Sequence, residues 1–111
     1  MTFGFQLHPE AANDLTDIWE YISERSPKGA SSVREAILKA IRGLIAFPNK
    51  GHTRADLTSR PLRFCVTGNY LIAYAPDEKP LCVVAIIHGR RSPRVIAAIL
   101  RGRVPPPPSL E

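Results

Sequence analysis

A chain of 111 residues is long enough for one domain with one modest core and little else. Hydrophobic residues make up 44% and charged residues 23%, ordinary values for a folded domain, and no apolar run approaches the length of a membrane span. The opening Met1-Thr2-Phe3-Gly4-Phe5 has no basic segment and no long apolar stretch, so no secretory signal is expected and the cytoplasm is the expected compartment.

The net charge of +5 is unevenly spread: residues 1–55 hold seven Lys/Arg against six Asp/Glu, and residues 56–111 hold eight against four. Between Lys79 and Leu110 there is no acid, yet Arg90, Arg91, Arg94, Arg101 and Arg103 all lie there. A one-sided basic segment suits an acidic partner, either nucleic acid or an acidic protein segment. Arginine's planar fork also suits bidentate contact with carboxylate or phosphate. Cys65 and Cys82 sit inside apolar runs, in neither a C-x-x-C nor a zinc spacing, and His8, His52 and His88 are scattered. No metal site and no cofactor are expected, and the cysteines read as small buried residues that stay reduced.

In chain order, Phe3, Phe5 and Leu7 alternate with Gly4 and Gln6, the pattern of a short half-buried strand. His8-Pro9 ends it, and Pro9 suits the first position of a helix. Leu15, Ile18, Trp19 and Ile22 then recur at the spacing of one helix face, with Trp19 expected in the core and Tyr21 at the rim. Ser26-Pro27-Lys28-Gly29 breaks this helix. Ala30, Val33, Ile37, Ile41, Leu44 and Ile45 define a second helix, which stops near Phe47-Pro48. The two helices, near residues 10–25 and 29–47, are expected to form an antiparallel hairpin.

Residues 49–60 are polar and without period, as in a loop. Leu62–Val66 and Tyr70–Ala75 flank Thr67-Gly68-Asn69, a tight hairpin signal. Leu81–Ile87 is apolar throughout, as expected of a central strand covered on both faces. Pro93 can open a short last helix carrying Val95, Ile96, Ile99 and Leu100. Residues 1–103 therefore read as one domain. The proline-rich segment 104–111 is expected to be extended or disordered, and its Leu110-Glu111 ending has the form of an expression remnant. The element order is β-α-α-β-β-β(-α), an α+β fold in which the helical hairpin packs on one face of a four-stranded sheet. The other face is expected to be free, or covered by something outside the chain.

Particular residues carry a family resemblance. Leu7-His8-Pro9-Glu10-Ala11-Ala12-Asn13-Asp14-Leu15 with Ile18-Trp19-Glu20-Tyr21-Ile22, then Leu62-Arg63, Tyr70-Leu71-Ile72-Ala73-Tyr74 and Ile87-His88-Gly89-Arg90-Arg91, resemble toxins of the RelE/ParE superfamily across residues 3–100. His8 stands where such chains often place a hydroxyl cap, which puts the capping of the first helix in question. The resemblance implies the toxin of a type II toxin–antitoxin system, neutralised by a cognate ParD-like antitoxin and associated with plasmid stabilisation. RelE-like members cut mRNA on the ribosome, and ParE-like members poison DNA gyrase. The mRNA cutters place a basic residue after the aromatic of the middle strand, lysines in the strand before it, and a tyrosine beyond the final arginine. Here Leu71 follows Tyr70, Arg63 is the only basic residue in Leu62–Val66, and Ser92–Leu100 has no tyrosine.

The resemblance therefore favours the ParE-like branch, with DNA gyrase as target and no enzymatic activity. A ribosome-dependent endoribonuclease and a degenerate, non-toxic antitoxin binder are the alternatives. Neither membrane association nor sequence-specific DNA binding by the toxin alone is expected. Arg63, His88 and Arg91 are the candidates for any residual chemistry, and Arg63, His88, Arg90, Arg91 and Arg94 the candidates for contact with target or antitoxin. His88 is favoured as a satisfied histidine that holds a strand end rather than as a general base. Arg90 and Arg91 should point to opposite faces, one of them free to pair with a carboxylate inside the protein. Arg63 should either face the open side or have a carboxylate partner.

Overall fold

A computed structural model describes residues 4–103. Its elements are β1 (Phe5–Leu7), α1 (Pro9–Ser23), α2 (Pro27–Ala46), β2 (Arg63–Thr67), β3 (Tyr70–Ala75), β4 (Leu81–His88) and α3 (Pro93–Arg101). The proline-rich segment 104–111 lies outside the described residues.

One device starts all three helices: a capping side chain followed by proline at the first helical position, where its missing N–H costs nothing. Ser26 Oγ accepts from Gly29 N at 2.9 Å and Ser92 Oγ from Val95 N at 3.2 Å. At α1 the cap is His8, whose Nδ1 accepts from Glu10 N at 3.1 Å, so an imidazole does the work of the missing hydroxyl. Ser26-Pro27 thus ends α1 and at once starts α2, which moves both helices a residue or more toward the amino terminus of the ranges expected from sequence.

The sheet order is β1-β4-β3-β2, with β1 parallel to β4 and the remaining pairs antiparallel. Gly68 has φ 56° and is the only described residue with positive φ in the β2–β3 turn, as a II′ hairpin turn requires. Between β3 and β4 the register passes from Ala73↔Ala85 to Tyr74↔Val83, leaving Val84 as the extra residue of a bulge. The bulge sends Val84 and Ala85 to the same side of the sheet. Cys65 and Cys82 are free thiols on β2 and β4, with β3 between them, and burial pushes the Cys82 thiol above its ordinary range.

Two cores flank the sheet. On one face Leu15 of α1 and Ile37, Ile41 and Leu44 of α2 pack on Ile72, Tyr74, Val83 and Ile86. Trp19 is not among them. It is 38% exposed, on a shoulder of α1 beside Leu7, Leu15 and Arg34. The buried stripe of α1 runs through Ala11 and Leu15 toward Ile18, and Trp19 falls one step round the helix from it.

The opposite face is not free. Ile96 and Leu100 of α3, with Leu57 and Leu62 from the β2-ward connection, cover Phe64, Leu71, Ala73 and Ile87. Arg60 fastens this cover by donating to Leu100 O at 2.7 Å, a carbonyl in the last turn of α3. The connection that looks like loop in the sequence is also tied to the sheet edge. His52 N donates to Phe64 O at 2.9 Å and Phe64 N to His52 O at 2.7 Å.

Tyr74 anchors the same connection from below. Its fully buried hydroxyl donates to Pro48 O at 2.6 Å and accepts from Gly51 N at 2.9 Å. Gly51 approaches so closely that a Cβ there would lie 2.6 Å from the Tyr74 hydroxyl and 2.7 Å from Phe64 O. Burial raises the Tyr74 pKa above its ordinary value of 10.0, outweighing the Gly51 N–H bond that favours the phenolate. The folded state therefore holds this proton more tightly than the unfolded chain. The resulting stability is complete below pH 10 and is lost as pH rises beyond it. Tyr74→Phe should lower unfolding free energy by about 1–3 kcal/mol, since two buried backbone groups lose their partner. It should also flatten the alkaline fall in stability; urea titrations at neutral and high pH check both.

Candidate partner-binding site

β4 is eight residues long, and β1 pairs only with Leu81–Val83, after which His8 N takes the Val83 carbonyl at 2.8 Å. Beyond that point the rim of β4 has no neighbouring strand. Side chains stand in for one. Asp14 of α1 accepts from Ile86 N at 2.9 Å, and Arg103, just past α3, grips the same carboxylate with both terminal nitrogens, Nη2 at 3.0 Å from Oδ1. Arg103 Nη1 also reaches Val84 O at 3.4 Å. The pair is largely buried, with side chains 14% and 17% exposed. One ion pair thus joins α1, the bulge of β4 and the end of α3. In the sequence Asp14 falls outside the Leu15, Ile18, Trp19 and Ile22 spacing of α1, and Arg103 is one of five arginines of an acid-free segment. The only signal was an acid one step from the buried stripe of α1. Nothing local marks its partner, which is 89 residues away.

The other end of β4 collects the basic residues. His88, Arg90 and Arg91 line one cleft with Arg54, beside the β2–β3 turn, and Arg94 follows in the first turn of α3. His88 closes the strand end. Its Nδ1 accepts from Arg90 N at 3.1 Å, and its ring meets Tyr70 edge-on at 5.4 Å. With Nδ1 accepting this bond, Nε2 is the ring nitrogen left to donate. Arg54 is held by Asp56 through two bonds of 2.8 and 2.7 Å, which raise its pKa and lower that of Asp56. Arg90, Arg91 and Arg94 are exposed, and none forms an ion pair among the described residues. The expectation that one of the first two pairs with an internal carboxylate is therefore corrected; Arg103 fills that role.

Arg63 stands apart. It has neither the open face nor the carboxylate partner expected from sequence. It donates to Gly51 O at 2.6 Å and Asn49 O at 3.3 Å, pinning the connection that Tyr74 also holds. It is registered with Tyr74, whereas His88 is registered with Tyr70, four residues along β3. At roughly 3.4 Å per residue, this separates the two positions by roughly 14 Å along the strand direction alone. The structure thus brings His88, Arg90 and Arg91 together and leaves Arg63 out. Among the described residues no cluster of three His, Cys, Asp or Glu could hold a metal, and no helix is long and apolar enough to cross a membrane.

The helical hairpin on a mixed four-stranded sheet, in strand-helix-helix-strand order, matches a ParE-like structure. Residues 5–93 match the family model described as the ParE toxin of the type II toxin-antitoxin system, parDE, and the chain belongs to that family. A solved structure titled "Chromosomal ParDE TA system from P. aeruginosa" aligns with a TM-score of 0.63 and 19% identity, covering 78% of this chain and 95% of that one. A comparison with curated proteins gives no match.

Exposed arginines without partners should matter little to folding. The triple variant Arg90→Ala, Arg91→Ala, Arg94→Ala should unfold within about 0.5 kcal/mol of the parent. Arg63→Ala should lose about 1–3 kcal/mol because two carbonyls lose a charged donor. Parallel urea melts separate the two.

Proposed function

We propose that this chain is the toxin of a type II pair, that it arrests growth by binding DNA gyrase in the cytoplasm, and that a ParD-like antitoxin neutralises it. Membership of the ParE toxin family supports the type II assignment. The separation of Arg63 from His88 and Arg91, the other two groups that could carry chemistry, favours the gyrase-binding branch over the mRNA-cutting one. Cleavage by a 2′-hydroxyl needs a base, an acid and cations converging on one phosphate. Arg63 is committed to backbone carbonyls, and His88 Nδ1 to Arg90 N, leaving Arg91 as the free cation of the three.

The basic cleft is suited to recognition instead. His88, Arg90, Arg91 and Arg94 present cations and a ring donor to an acidic surface, and the three arginines form no ion pair among the described residues. Opposite charge on gyrase or on the antitoxin would speed association and make it salt-sensitive.

Purified protein added to gyrase and relaxed plasmid should block supercoiling, and the same protein added to translating ribosomes should leave mRNA intact. Codon-specific mRNA cleavage, with supercoiling unaffected, would overturn the proposal.

A further inference from the structure

The end of the sheet opposite the basic cleft carries an apolar knob and an apolar cleft side by side. β4 runs from Leu81 at this end to His88 at the basic cleft, roughly 24 Å at about 3.4 Å per residue. The knob is Phe47, which caps the carboxyl end of α2, is 68% exposed and belongs to neither core. Lys50 N donates to Phe47 O at 3.0 Å, so a tight turn holds the aromatic ring and an exposed cation together. The turn is fixed from below, where Pro48 O accepts from the Tyr74 hydroxyl.

The cleft beside it has a volume of about 340 Å³ and walls of Ile45, Pro48, Pro76, Pro80 and Leu81. Glu78 also lines it, half-buried and without an ion pair among the described residues. Burial first, and after it the Glu78 charge, hold the Cys82 thiol above its ordinary range, so this carboxylate acts on the interior as well as on solvent. A partly buried carboxylate without a cation is a cost that a docked cation would relieve. The cleft therefore selects an occupant that is apolar at its tip and cationic beside it. Residues 47–50 have that character, yet Phe47 does not line the cleft of its own chain. Pro48 borders both the knob and the cleft, so the two adjoin in one patch. Such a patch is self-complementary, and a twofold axis beside Pro48 would satisfy both halves at once.

We propose that two copies of this chain associate about a twofold axis at this end, each inserting Phe47 into the other's cleft and setting Lys50 against the other's Glu78. The ring supplies the buried anchor and the ion pairs supply register. A patch of one turn and one cleft belongs with the small, reversible interfaces, below about 1,200 Å² in total, with a dissociation constant on the order of 10 μM. Both basic clefts then lie at the far ends of the dimer. A dimer offers them together to an acidic partner, which gains avidity without any new contact. The inference stands on this geometry and not on the identity of the cellular target.

The test is sedimentation velocity on the full chain from roughly 1 to 300 μM, a range that brackets the expected dissociation constant. The weight-average mass should rise from 12.3 kDa toward double that value. Phe47→Ala should weaken association by about tenfold or more, as truncation of a central aromatic anchor does, with an unchanged urea melt showing that it folds. Lys50→Glu and Glu78→Lys should each weaken it by about fivefold or more, and the two together should restore it to within about twofold. A chain that stays at 12.3 kDa throughout would overturn the proposal. Nuclear Overhauser contacts from Leu81 to residues 1–3 or 104–111 in that monomer would then assign the cleft to the chain's own ends. Association that Phe47→Ala leaves undiminished would overturn this surface. Failure of the double charge reversal to restore what the single reversals lose would overturn the pairing of Lys50 with Glu78.

Discussion

The architecture turns on a mismatch between two strands. β4 runs through the centre of the sheet for eight residues, and its outer neighbour β1 accompanies it for three. A rim left so exposed would carry unpaired backbone groups against the apolar underside of α1, each a substantial penalty. The bulge at Val84 turns the strand at that point, and the Asp14–Arg103 pair supplies the missing acceptor and donor. Because Arg103 follows α3 directly, the same contact fixes the helix that closes the second core. Two layers that share no other polar side-chain contact among the described residues are thereby joined through one carboxylate.

Much of this fold is legible in the sequence because it is written in local terms. The proline starts at Pro9 and Pro93, the break at Ser26–Gly29, the Gly68-Asn69 turn and the unbroken apolar run of β4 each act over a few residues, whereas the capping side chains His8, Ser26 and Ser92 emerge from the structure. What sequence reading misses is non-local. Trp19 has the right spacing for the stripe of α1, but how wide a stripe is buried depends on where α2 and β1 sit. Leu57 and Leu62 lie in a segment without period, so nothing marks them as a lid until Tyr74, Arg63 and His52 are seen to hold that segment against the sheet. The sheet face expected to be open is closed for that reason.

The candidate site divides in the same way. The acid-free run after Lys79 marks the basic end of the sheet, and His88, Arg90 and Arg91 do converge there. Arg63 looks equivalent in sequence, as an arginine within a strand, but its side chain meets carbonyls from a loop that periodicity cannot place. The vacant rim of β4 is invisible in sequence altogether, since it depends on how far β1 extends beside it.

The most direct test of this account is a double-mutant cycle on Asp14 and Arg103, read by equilibrium urea unfolding. If the pair completes the rim of β4 as a unit, Asp14→Ala and Arg103→Ala should each lose about 3–5 kcal/mol, since each leaves a buried charge uncompensated. The double variant should then lose only about 1–2 kcal/mol more than Asp14→Ala alone, giving a coupling energy of about 2–3 kcal/mol. Losses that simply add, or single losses below about 1 kcal/mol, would show that the pair is incidental and that the sheet holds its rim by other means.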